Sequence, residues 1–170
     1  INSAKQILIQ KIREAEHERI YAEYIDKVGQ LVTGVVQQID KGNVIVNLGR
    51  GEGILRIKEQ IPREKFRQGD RIRAYIQDVQ KTPRGPEIVL SRVNNEFLKA
   101  LFALEVPEIY EKVIEIRAIA REPGERAKIA VWSSDERIDP VGACVGIKGV
   151  RVQSIVRELN NERIDIVPYT

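Results

Sequence analysis

Apolar residues recur at helical spacing through the first 26 positions: Ala4, Leu8, Ile12 and Ala15, resuming at Ala22 and Ile25, with Arg13, Glu14, Glu18 and Arg19 among them. The spacing predicts one solvated helix over residues 1–26, already under way at Ile1. It serves either as a linker or coiled-coil helix or as the tail of a preceding domain. At Val28 the period changes from helical to extended, and short strands punctuated by turn residues begin. Residues 31–39 form the first strand, and Asp40-Lys41-Gly42-Asn43 turns the chain because Gly and Asn accept positive φ. Residues 44–48 are the second strand, Gly49 to Gly53 a tight connection, and 54–57 the third. Residues 62–66 read as one helical turn with Pro62 near its start. Over residues 71–79, Ile72, Ala74 and Ile76 alternate with Arg71, Arg73, Tyr75 and Gln77, giving a fourth strand with one buried face. Pro83-Arg84-Gly85-Pro86 turns the chain into a fifth strand over residues 87–92. Five short strands with a helical turn between the third and fourth outline an OB-fold β-barrel over residues 27–93.

After Arg92 the period is helical again: Phe97, Leu98, Leu101 and Phe102 fall on one side, and Asn94 or Asn95 can cap. Strands are predicted over 113–121 and 126–132, joined by a Glu122-Pro123-Gly124-Glu125 hairpin turn. Ile114, Ile116 and Ala118 share one face, as do Ala127, Ile129 and Val131. Asp139-Pro140 starts a short helix, with a capping carboxylate and proline at the first helical position, and Gly146 stops it. Beyond Gly149, the residues Val152, Ile155, Val156 and Leu159 hold an i, i+3, i+4, i+7 stripe that Asn160-Asn161 ends, and Ile164-Asp165-Ile166 alternates as a last strand. The order helix, strand, strand, short helix, glycine loop, helix, strand defines a second domain over residues 94–170, so the fold class is α+β and multidomain.

Composition narrows the function classes. A chain of 170 residues suits two small domains with modest cores, and no apolar run reaches the roughly 20 residues a membrane-spanning helix needs. Lys and Arg number 28 against 25 Asp and Glu, a net +3 that is compatible with a polyanionic partner without requiring one. The single cysteine, Cys144, excludes an internal disulfide, and no charged-then-apolar leader opens the chain, which points to a reducing cytoplasm. One cysteine and one histidine, His17, cannot assemble a Cys/His zinc site. No carboxylate pair, metal set or nucleophile-base constellation supports catalysis, so no enzyme activity, metal or cofactor is expected. The absence of methionine leads us to expect an excised piece with neighbours on both sides.

The chemistry converges on Gly146-Ile147-Lys148-Gly149. A glycine pair between two helices lets backbone approach backbone and leaves first-turn N–H groups of the second helix pointing outward, where the macrodipole favours an anion. Lys148 and Arg151 add cations there, and Gln153 lies on the same first turn. Alone, Gly-x-x-Gly also describes a plain helix-helix turn. Set between these helices, beside strands in this order and with one basic central residue, it resembles a KH domain, whose GxxG loop clamps single-stranded RNA or DNA by the backbone. With both long strands before the loop, the arrangement is similar to the type II, bacterial one. The resemblance implies RNA contacts by Gly146, Ile147, Lys148, Gly149, Arg151 and Gln153. No aromatic lies in the loop region, so bases would be read by hydrogen bonds and apolar contacts.

Val32-Thr33-Gly34-Val35-Val36, Asn47-Leu48-Gly49, Glu52-Gly53-Ile54-Leu55 and Leu90-Ser91-Arg92 make the barrel resemble an S1 domain. Such domains stack bases on exposed aromatics of the second and third strands, with a histidine nearby, whereas this chain has Ile45, Ile54 and Arg56 in that region. Lys41, Arg56, Lys58, Arg71 and Arg73 therefore either bind phosphates or form an ordinary solvated basic face. S1 followed by KH, with Val106-Pro107-Glu108-Ile109, Arg126 to Val131 and Arg137-Ile138-Asp139-Pro140-Val141-Gly142-Ala143-Cys144-Val145-Gly146, closely resembles the NusA family of bacterial transcription termination and antitermination factors. The resemblance implies a cytoplasmic, monomeric, non-membrane factor whose partners are single-stranded nascent RNA, RNA polymerase and other antitermination factors. It also implies that residues 1–26 end a polymerase-binding domain and that a second KH domain follows Thr170. The alternative is an RNA-binding appendage of a ribonuclease such as polynucleotide phosphorylase, in which KH precedes S1 and has the other topology. Of the remaining residues, Cys144 reads as a small buried hydrophobe and His17 as solvated. Trp132 faces away from Ile129 and Val131, either to stack a base or to pack against a neighbouring element.

Overall fold

The computed structural model describes residues 2–170, with side chains from Ser3 onward. Ile1 lies outside the described residues. The chain divides into two compact units, one running to Glu59 and resuming over Phe66–Arg92, the other made of Gln60–Lys65 and Val93–Thr170.

The first unit opens with helix α1 (Asn2–Ile25). Five strands follow, β1 (Leu31–Asp40), β2 (Asn43–Asn47), β3 (Glu52–Leu55), β4 (Arg71–Thr82) and β5 (Gly85–Ser91), closed in the order β1-β2-β3-β5-β4. Bulges between Val36 and Gln38 and between Ile76 and Asp78 add the local twist that closing so few strands demands. Val36, Val44, Val46, Leu55, Ile72, Ala74, Ile76, Ile88 and Leu90 fill the interior, as their period-2 spacing requires.

Helix α1 is not simply solvated. Ile7, Leu8 and Ile12 are exposed, but Tyr24 is only 4% exposed and belongs to the barrel core, with Ile20, Tyr21 and Ile25 packed around it. The Tyr24 hydroxyl donates to the Leu48 carbonyl at 3.1 Å. Gly51 is matched to this ring: a Cβ there would sit 2.7 Å from Tyr24 Cε2 and 2.5 Å from Ile88 Cδ1. His17 is half-buried, its ring against Gly85, rather than solvated.

The helical turn expected over residues 62–66 lies earlier, as a 3-10 turn over Ile57–Glu59. Asn43 Oδ1 accepts from the Ile57 amide and Arg56 O from the Glu59 amide, which winds that segment, whereas Arg63 at φ 72° cannot continue a right-handed helix. Within the second unit, Ile61 packs under Gly124, whose added Cβ would lie 3.2 Å from Ile61 Cγ2.

The second unit contains α2 (Asn95–Glu105), α3 (Pro107–Tyr110), β6 (Ile114–Glu122), β7 (Arg126–Ser133), α4 (Pro140–Val145), α5 (Val150–Glu158) and β8 (Arg163–Pro168). Asn94 caps α2, its Oδ1 accepting from the Glu96 amide at 2.8 Å. Strand β7 is central, antiparallel to β6 and parallel to β8. One sheet face is covered: Ala127, Ile129 and Val131 are buried, as are Phe97, Leu98, Leu101 and Phe102 of α2, Cys144 of α4, and Ile155 and Leu159 around α5. The predicted face of β6 fails beyond Ile116. A bulge between Ile116 and Ala118 shifts the register, so Ala118 is exposed while Ile119 and Arg121 turn inward. Asp139 is the N-cap of α4, but its carboxylate makes no capping bond; it leans over Gly142, and the helix begins with Ala143 N–H donating to the Asp139 carbonyl at 3.0 Å. Asn160 and Asn161, at φ 58° and 66°, terminate α5 in the left-handed region these residues tolerate.

Candidate nucleic-acid interface

Three residues of the glycine loop have positive φ. Gly146 (80°, ψ 173°) ends α4, Lys148 (56°, 24°) is left-handed, and Gly149 (76°, 16°) leads into α5. Two loop amides are used within the turn itself, Gly149 N–H to Gly146 O at 3.1 Å and Val150 N–H to Ile147 O, so fewer donors face outward than the sequence suggested. What the loop presents is apolar and cationic together. Ile147 is 84% and Val150 64% exposed, on either side of an exposed Lys148, with Gln153 exposed one turn along α5. Exposed aliphatics of this size beside a cation suit a ligand with both apolar and anionic parts, which is the character of a nucleotide strand.

Arg151 stands apart. Its Nη1 donates to the Ala143 carbonyl at 2.8 Å and to Glu108 at 3.1 Å, so the guanidinium already has partners within the domain. The sequence names Glu108 only within the Val106–Ile109 run and gives it no role at the loop, because α3, a single turn, leaves no periodic signal; Pro107 marks its start.

The five barrel cations do not form one patch. Lys41, in the β1–β2 turn, and Lys58, in the 3-10 turn, are exposed and belong to neighbouring segments, linked by the Ile57 amide on Asn43 and the Ile57 side chain against Gly42. Arg71 and Arg73 lie on β4 opposite Val35 and Thr33, and the Arg73 carbonyl accepts from buried Arg92 at 2.6 Å. Arg56 is paired with Glu87 at 2.6 Å. Ile45 and Ile54 face each other across β2 and β3, half-buried. Trp132 finds its partner on the adjacent strand: the Arg117 guanidinium lies 3.7 Å from its ring centre and 5.5 Å from that of Tyr169.

Cys144 is fully buried behind the loop, and burial, reinforced by the Glu108 carboxylate, pushes its thiol up to about 11. Asp135, which accepts from the Arg137 side chain and amide, is held below the usual carboxylate range. Among the described residues no group of three or more His, Cys, Asp or Glu is placed to hold a metal ion, and no helix is long and apolar enough to cross a membrane.

A closed five-stranded barrel followed by an α/β unit with a glycine loop between two helices defines the chain as an S1–KH protein of the nucleic-acid-binding class. Residues 25–92 match the family model of the S1 RNA binding domain, and residues 92–169 that of the NusA-like first KH domain. The chain belongs to the NusA family. It is 50% identical over 168 residues to the transcription termination/antitermination protein NusA of Rickettsia conorii, covering 99% of this chain and 33% of that protein. Against the Thermus thermophilus protein of the same name it is 50% identical over 171 residues, covering 100% and 44%, and against that of Bacillus subtilis 48% over 168 residues, covering 99% and 45%. The chain thus spans between a third and just under half the length of these relatives.

Proposed function

We propose that this chain is the RNA-binding part of a non-catalytic transcription factor that acts in termination and antitermination, gripping single-stranded nascent RNA through the loop between α4 and α5. The observation that carries the reading is the exposed surface made by Ile147, Lys148 and Val150, in a chain half identical to proteins named for that role. Gly146, Ile147, Lys148, Gly149 and Gln153 contact the strand, Lys148 supplying the phosphate contact and Ile147 and Val150 the apolar surface. Lys41, Lys58 and Arg71 on the barrel add phosphate attraction without stacking. RNA polymerase and other antitermination factors are the protein partners, in the cytoplasm, with residues 1–26 and 94–170 serving as the end of a polymerase-binding domain and as the KH domain.

Replacing Ile147 and Lys148 together by Asp sets carboxylates against the phosphates and abolishes binding of a labelled single-stranded RNA. Lys148→Ala alone weakens binding and lowers the slope of log affinity against log salt by roughly one. Unchanged affinity in the double variant, or RNA-induced amide shifts confined to residues outside 146–153, would falsify the assignment.

A further inference from the structure

Arg151 is the second residue of α5, and its side chain reaches back across the loop. One nitrogen, Nη1, joins the Ala143 carbonyl of α4 to the Glu108 carboxylate of α3, and the side chains of Arg151 and Glu108 are 31% and 30% exposed. The last carbonyls of a helix lack helical donors, so the bond to Ala143 satisfies an end of α4 that would otherwise depend on water. The stem is fitted as closely as the head: a Cβ on Gly146 would lie 2.8 Å from Arg151 Cγ and 3.0 Å from its Cβ and amide nitrogen. The glycine at the start of the loop therefore leaves the room through which Arg151 passes. One side chain ties the beginning of α5, the end of α4 and α3 together, and the loop is the segment strung between two of these anchors.

We infer that Arg151 is a positioning residue of the RNA-binding loop, held by Glu108, and not one of its phosphate contacts. The inference rests on the RNA-binding reading given above. The two roles make opposite demands on Glu108. If Arg151 met phosphate, Glu108 would be a competing carboxylate beside a polyanion, and removing its charge would tighten binding. If Arg151 holds the loop, removing that charge loosens the loop and weakens binding.

The test compares the parent chain with Glu108→Gln, which is isosteric, Arg151→Met, which keeps the stem, and the double variant. Each is titrated with a labelled single-stranded RNA of random sequence across a salt series, and amide hydrogen exchange is followed in the free proteins. Both single variants are expected to bind roughly fivefold more weakly, with the salt slope of the parent, faster exchange at Gly146 and Gly149, and a double variant no weaker than Arg151→Met. Tighter binding by Glu108→Gln, a slope lower by roughly one in Arg151→Met, or unaltered exchange at both glycines overturns the inference. Failure of the parent chain to bind RNA overturns the functional reading instead, and the exchange rates then still decide whether Arg151 holds the loop.

Discussion

Glu162→Ala should come close to unfolding the KH unit. The Glu162 carboxylate accepts from Arg121 Nε at 2.9 Å and Nη2 at 3.1 Å, and from the Gly124 amide at 2.8 Å. Both side chains are fully buried, and Arg121 Nη1 has no hydrogen-bond partner among the described residues. The pair joins β6, the β6–β7 turn and the segment between α5 and β8. Deleting the carboxylate leaves a guanidinium charge and a backbone N–H buried together, a loss on the order of 3–5 kcal/mol for the charge alone. With a urea m-value of about 1 kcal/mol/M, the midpoint falls by about 3 M or more. Removing both charges, as in Arg121→Met with Glu162→Leu, should recover most of the loss, because no unpaired charge remains. The chain's single tryptophan, Trp132, lies on β7 of the same unit, so its fluorescence in urea reads this transition without interference from the barrel. A Glu162→Ala midpoint within about 0.5 M of the parent, or a double variant less stable than either single one, would refute the view that the pair is a buried, mutually dependent contact.

Two further predictions concern the core. Tyr24→Ala leaves a hole in the barrel core beside Gly51 and should cost about 3–5 kcal/mol, whereas Tyr24→Phe loses only the bond to Leu48, about 1 kcal/mol; calorimetry should also show Ile12→Ala on the exposed part of α1 within about 0.5 kcal/mol of the parent. Cys144 should resist alkylation near neutral pH unless the KH unit is first unfolded. Because its folded pKa is raised from 9.0 to about 11, the proton is held more tightly in the folded state, so the stability this group contributes is complete below pH 9 and is lost as pH rises toward 11. Urea midpoints by Trp132 fluorescence at pH 8 and 10.5 should fall for the parent more than for Cys144→Ala.

The strands of the barrel were legible because alternation over residues 71–79 survives almost unbroken in β4. Failures cluster where one residue breaks a period. In β6 the run Ile116-Arg117-Ala118-Ile119 reads as continuous alternation, but the bulge moves Ile119 and Arg121 inward, and nothing in the spacing announces it. Helix α1 looked evenly solvated because, although Ile20 and Ile25 also pack against the barrel, three of the residues that meet it, Tyr21, Tyr24 and His17, carry polar atoms that a simple apolar count passes over. The partners of these two paired cations were out of reach for a different reason: Glu162 lies 41 residues from Arg121, and Glu108 lies 43 from Arg151.

That last separation bears on how the loop works. Its glycine spacing and basic residue were visible in the sequence, and they suggested a row of free amides and cations awaiting phosphate. The structure has fewer of both, since two amides close the turn and Arg151 is engaged. Lys148 meanwhile occupies a left-handed conformation at φ 56°, which costs a non-glycine residue on the order of 1 kcal/mol. A strained, exposed residue keeps such a conformation only where its flanks are fixed. Here the flanks are Gly146, against which the Arg151 stem packs, and the start of α5, which carries Arg151 itself. A loop fixed before RNA arrives loses less conformational freedom on binding, and a backbone clamp with few ionic contacts depends on that saving for its affinity. On the proposed reading of the loop, the acid on α3 favours RNA binding even though its charge opposes RNA.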